Sequence, residues 1–299
     1  MATTSPEPAP ARLDGRTGYD PAFLGPLVPL PLPVDPAITV VALPYTHFTV
    51  LLRPDRRLAA ATAVAIDGGR LVDLHREGQW RLDPRVPEAQ QAGKGLYSDN
   101  DFDRGHLVRR LDPVWGDDAD VRTANADTFH FTNAAPQHSD FNQGKQLWAG
   151  LEDYLLANAA QSDRRLVVLT GPVLRPDDPR YRGVQIPLTF WKVAGFLQDG
   201  ALASTAYVLD QSPDLPDAAA ALAAAEAADQ PPPLGAYRTF QVPVHDVAQI
   251  SGLDLGPLPA VDRLPAPPVP APPAPGAEPG PGRWRELRRH EDIVLGAGG

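Results

Sequence analysis

The chain has 299 residues, of which 43% are hydrophobic, so it is long enough and apolar enough to build a real core on its own. It contains no cysteine, which excludes a disulfide framework, a thiolate metal site and a cysteine nucleophile and leaves oxygen or imidazole to hold any metal. A net charge of −10 excludes nonspecific wrapping of nucleic acid over a broad basic face, because such binding depends on neutralised phosphates, yet it leaves room for a local basic cleft.

In chain order, residues 1–36 are rich in Pro, Ala and Thr and predict a disordered, loosely draped arm. No basic stretch leads into an apolar run there, and "FLGPLVPLPLP" is short and broken by proline. These features predict neither a Sec signal nor a membrane span, hence a cytoplasmic protein by default or one exported by a leaderless route. Order is expected from about Ile38, in a domain spanning 37–264. "ITVVALPYTHFTVLL" and "LAAATAVAIDGG" predict neighbouring strands joined at the turn-like "RPDRR".

After Asp112, "DPVWGDDADVRTANAD" reads as a polar loop and "TFHFTN" as a short strand. Leu147, Leu151, Tyr154, Leu155 and Asn158 then recur at helical spacing, predicting a helix with one apolar face. "RRLVVLTGPVL", "IPLTFWKVAGFL" and "ALASTAYVLD" predict three more strands, the last two flanking a turn at "QDG". "LPDAAAALAAAEAAD" is an Ala-rich helix. A Pro/Ala linker occupies 265–282, and the short tail 283–299 carries Trp284, Leu287, Ile293, Val294 and Leu295. The tail is expected to fold back on its own domain, because short isolated helices are marginal in water; docking on a partner is the alternative.

The chemistry concentrates in "DFDRGHLVRR", residues 101–110. Asp99, Asp101 and Asp103 alternate as in an EF-hand, but that loop needs Gly sixth and Glu twelfth, where this chain has Arg104 and Arg110. There is no Gly-x-Ser-x-Gly elbow, Walker loop or HExxH helix. Of seven histidines, His47, His75, His130, His138, His245 and His290 sit in contexts that call only for structural hydrogen bonds. His106 differs through its company: "DRGH", then Asn133, Pro136 and Gln137, then "FNQG" with Asn142, then "LWAGLE" ending at Glu152.

This ordered set resembles the DNA/RNA non-specific endonucleases of the Serratia nuclease and endonuclease G type, which carry a ββα-metal finger. The resemblance runs from about Tyr45 to Leu255 and takes in "TGPVL", "FWKV" and "GLDLG". It implies an α+β fold, with a mixed, mainly antiparallel sheet, flanking helices and a ββα-metal element carrying the site. It also implies hydrolysis of DNA and RNA to 5′-phosphate ends with a single Mg²⁺, or Mn²⁺ in its place.

The resemblance makes His106 the general base, Asn142 the metal ligand, Arg104 the clamp on the developing phosphorane and Glu152 the residue that orients water. An unperturbed imidazole, with a pKa near ~6.5, suits the base at neutral pH. Arg109 and Arg110 are expected on backbone phosphates, with Asn133 beside them as a substrate contact. Two departures stand out. Trp148 and Glu152 follow Asn142 about two residues later than in the pattern, and Ala65 stands where relatives carry a polar phosphate contact. Arg56, Arg57 and Lys192 are the candidate substitutes. The partners implied are nucleic acid, a second copy of the chain, and an inhibitor or docking partner for the tail. The alternative is a catalytically weak nucleic-acid-binding or scaffolding relative.

Overall fold

The computed structural model describes residues 13–76, 78–138, 150–151, 154, 165–235, 237–264 and 284–295. It is an α+β fold around an eight-stranded sheet in the order β1 (Val41–Pro44), β2 (Phe48–Arg53), β3 (Leu58–Asp67), β6 (Arg165–Pro172), β9 (Thr189–Gln198), β10 (Ala201–Asp210), β11 (Arg238–Val242) and β12 (Arg285–Leu287). Every ladder in it is antiparallel. Two small pairs stand apart, β4 (Phe102–His106) with β5 (Ala134–His138) and β7 (Arg180–Tyr181) with β8 (Val184–Gln185). The described helices are α1 (Asp118–Asp127), α2 (Ala218–Ala227) and α3 (Val244–Ser251).

The central strands are buried almost end to end because the sheet is covered on both faces. One face packs Val50, Val64, Ile66, Val168, Phe190 and Tyr207 under Leu107, Ala135 and Leu151. The opposite face packs Ala63, Ala65, Val167, Trp191 and Val193 under Val244 and Val247 of α3 and under Tyr19, Leu24 and Val28. Gly171 is required where β6 crosses β3, since a Cβ there would lie 2.4 Å from the Ala60 carbonyl oxygen. Among the described residues no helix is long and apolar enough to cross a membrane.

Three local expectations are corrected. Residues 13–36 are no loose arm: Tyr19 donates its hydroxyl to the Val28 carbonyl, Gly18 N–H bonds the Tyr45 carbonyl, and Val28 is fully buried. Proline lacks an N–H to satisfy, so this segment can pack apolar side chains without joining a ladder. The polar stretch after Trp115 contains α1, capped by Asp117, whose carboxylate accepts from Ala119 N–H and Asp120 N–H. "TFHFTN" ends in a 3-10 turn, Phe131–Asn133, and the strand starts only at Ala134. The tail does fold back as the edge strand β12, with Leu287 and Ile293 buried. Val294 exchanges two backbone hydrogen bonds with the Gln241 amide.

Candidate active site

The site is built on β4. Register pairs Arg104 with Pro136 and His106 with Ala134, so strand alternation puts Phe102, Arg104 and His106 on one face and Asp103 and Gly105 on the other. The glycine of "DRGH" has a packing reason: a Cβ at Gly105 would sit 2.2 Å from the Gln137 side chain. Beyond His106, Asn133 fixes the chain. Its Oδ1 accepts from Val108 N–H at 2.9 Å, and its Nδ2 donates to the carbonyls of Val108 and Thr128 at 3.0 and 3.1 Å. Asn133 is fully buried with its amide committed to backbone, so it positions β4 instead of touching substrate, which corrects the expected role.

His106 lies among aromatic rings, with Trp80 at 4.6 Å and Phe129 edge-on at 5.4 Å between ring centroids. Although the residue as a whole is partly exposed, its Nε2 is buried and has no hydrogen-bond partner among the described residues. Burial above all, and then the charges of Arg76 and Arg110, pushes the imidazole down to about 3. The expectation of an unperturbed ring is therefore corrected: the imidazole is neutral across the physiological range but desolvated. Sequence reasoning missed Trp80, Phe129 and Arg76, which come from a loop and a helix exit with no periodic signature.

Arg104 is exposed and makes no ion pair among the described residues, so its charge is available. Other arginines are committed. Arg109 pairs with the buried Asp112 at 2.9 Å, and Arg56, nearly buried, pairs with Asp178 at 2.7 Å. Their charges are therefore largely cancelled, against the expectation of phosphate contacts. Arg110 donates to the Leu74 carbonyl at 2.7 Å and to Asn125 Oδ1 at 3.2 Å and keeps its charge. Arg57 donates twice to the Gln91 carbonyl, at 3.2 and 3.0 Å.

Lys192 is buried in the middle of the sheet, in register with Thr170 and Tyr207, and is not a surface cation; that expectation too is corrected. Ala65 points into the face covered by α3, so it does not mark a lost phosphate contact. Asn142, Trp148 and Glu152 lie outside the described residues. Nearby, Leu151 and Tyr154 are helical, and Leu151 packs on the sheet face beneath β5.

Among the described residues no three His, Asp or Glu side chains gather to hold a metal. An all-protein cage is thus not present there. Mg²⁺ commonly keeps several waters and takes only one or two protein ligands, and the orphaned Nε2 of His106 is a buried acceptor that one such water would satisfy. The residues therefore fit a hydrated divalent cation better than a closed site.

Residues 34–262 match the model of the DNA/RNA non-specific endonuclease family. The chain belongs to that family. It is 45% identical over 219 residues to an uncharacterised protein, y4fB, of Sinorhizobium fredii, covering 66% of this chain and 33% of that protein. It is 28% identical over 215 residues to mitochondrial endonuclease G of Homo sapiens, covering 68% of this chain and 60% of the relative. This family member thus spans between a third and three fifths of the length of these relatives. Its fold is similar to the EndoG chain in a crystal structure of EndoG with EndoGI, at a TM-score of 0.51 and 18% identity over 71% of this chain and 84% of that one.

Proposed function

We propose that this chain is a sugar-non-specific endonuclease that hydrolyses phosphodiester bonds of DNA and RNA and leaves 5′-phosphate ends. The observation that carries the reading is His106: a neutral imidazole whose Nε2 has no partner among the described residues, two positions along one strand face from the exposed Arg104, which makes no ion pair among them. Alternate residues on a strand lie about 6.6 Å apart on one face, so both side chains can address a single bound phosphate.

In the tautomer with its hydrogen on Nδ1, His106 takes the proton of the attacking water at Nε2. Trp80 and Phe129 hold the ring and exclude bulk water from it. Arg104 meets the growing negative charge on the phosphoryl oxygens bidentately. A divalent cation held by Asn142, Mg²⁺ or Mn²⁺, would supply Lewis acidity at the leaving 3′ oxygen. Glu152 would orient water beside it.

The test is cleavage of supercoiled plasmid and of a structured RNA, with Mg²⁺ and with EDTA, by the protein and by His106→Ala. Metal-dependent cutting of both substrates that disappears in the variant is the expected result. A second reading, a nucleic-acid-binding relative with feeble chemistry, is favoured by the low basicity that burial imposes on His106. Equal inertness of both proteins, with retained retardation of DNA on a gel, would establish it instead. A nuclease needs restraint in its own cell, so we propose control by an inhibitor protein. A fully active, unaccompanied protein in healthy cytosol contradicts this.

A further inference from the structure

Next to the site lies a cleft of about 670 Å³ lined by Arg57, Arg81, Lys94 and Arg182, with Glu88 as its one acidic residue. Its floor is Trp80 and Phe131 with Leu82, Leu96 and Val184. Trp80 is shared: its ring also packs on the His106 ring, with centroids 4.6 Å apart. The cleft thus neighbours the proposed base, with the Trp80 indole between them.

The cations of this cleft are held in an unusual way. Arg57 donates to the Gln91 carbonyl, and Arg182 to the carbonyls of Gly95 and Ser98. Arg81 donates to the Ala126 carbonyl and to His130 Nε2. Lys94 is exposed, and its ammonium makes no hydrogen bond or ion pair among the described residues. Among the described residues none of the four side-chain cations forms an ion pair, whereas Arg16, Arg53, Arg56, Arg85, Arg109 and Arg238 all do; carboxylates stand near two of them, with the Arg182 backbone N–H donating to Asp229 and with Asp127 and Asp83 acting on Arg81 through space. Neutral acceptors fix a guanidinium's direction without cancelling its charge, so Arg57 and Lys94 above all give this cleft a positive field in a chain of net charge −10.

Cations around a cleft walled in part by the half-buried Trp80 suit an anion that also carries a flat ring. A duplex shows its backbone but keeps its bases stacked inside, whereas an unpaired strand offers both phosphates and base faces. The volume falls in the ~300–1,000 Å³ range of clefts that take small ligands, which suits a few nucleotides. We infer that this cleft binds unpaired nucleotides of a single strand next to the scissile bond and biases the protein toward single-stranded nucleic acid. This rests on the nuclease reading for the word scissile, but not for the binding.

The experiment uses a dye-labelled oligothymidine of twelve nucleotides and the matching duplex. Binding is read by anisotropy in EDTA, and the ratio of single-strand to duplex cleavage is read in Mg²⁺. Lys94→Glu should weaken oligothymidine binding about tenfold, flatten its salt dependence by about one phosphate contact and lower the cleavage ratio. Glu88→Gln should tighten binding, a gain that a misfolded variant cannot imitate. Both variants are checked for an unchanged melting temperature. If the protein cuts plasmid but neither variant moves oligothymidine binding, or both move duplex binding equally, the inference is overturned while the nuclease reading stands. If nothing is cut but both variants shift oligothymidine binding as described, the cleft stands and the nuclease reading falls.

Discussion

Two side chains on β4 carry the reaction as proposed, and their surroundings give them opposite demands. Arg104 is exposed, so its replacement should leave the fold intact. Arg104→Ala is expected to lower kcat by about 10²–10³-fold, the usual loss for one donor to a developing anion, with an unchanged denaturation midpoint. Arg104→Lys should recover only part, since an ammonium cannot bridge two oxygens. A melting temperature that fell with the activity would instead mark Arg104 as structural. His130 makes a separate prediction. Its Nδ1 faces the Asp127 carbonyl at 2.9 Å while its Nε2 accepts from Arg81, which fixes a neutral ring; burial, then Arg81 among the charges, pushes it down to about 4. The unfolded chain, with a histidine near ~6.5, therefore takes up the proton first as the pH falls. Stability from this residue is complete above about pH 6.5 and is lost on the way down to about pH 4. Urea titrations at pH 7, 5.5 and 4.5 should show a shallower acid slope for His130→Asn than for the native chain; parallel slopes would remove His130 from the account.

At the scale of elements, what could be read in the sequence depended on whether a signal was local. The long strands β6, β9 and β10 announce themselves by apolar runs closed at Gly-Pro or turn residues, and "DRGH" is the local signal for the candidate site on β4. The orientation of Ala65 was not legible, because strand parity is set by register, and a shift of one residue exchanges the two faces. Lys192 illustrates the same limit: its burial follows from lying mid-sheet between β6 and β10, which no local pattern encodes. The helix α1 was readable from its Asp117 cap, but its weak apolar periodicity hid it in a polar stretch. Asn133 was expected to touch substrate, but its amide is committed to the backbone of Val108 and Thr128 at the β4 exit. Asn133→Ala strands Val108 N–H and two buried carbonyls, and it should cost about 3 kcal/mol in a urea titration and impair cleavage through displacement of His106. Full stability in that variant would show that the clamp is dispensable.

Across the whole molecule, the two ends of the described chain brace the sheet. Arg16 reaches the buried Asp127 at the end of α1, and the tail covers the far edge through β12, Trp284 against Phe240 and the Gln241–Val294 bonds. Ending the chain at residue 264 should bare the β11 edge and the apolar surface under Leu287 and Ile293. The expected outcome is a lower melting temperature and association seen by light scattering; a monodisperse truncated chain of native stability would show that the tail contributes nothing to the sheet.

The cations held by neutral oxygens also have a kinetic consequence. A strand approaching from afar meets a body of net charge −10 and is repelled, and it feels the cleft's attraction only within a screening length of about 8 Å at physiological salt. Added salt should then quicken arrival while hastening departure, so that stopped-flow capture speeds up over the range in which equilibrium affinity declines.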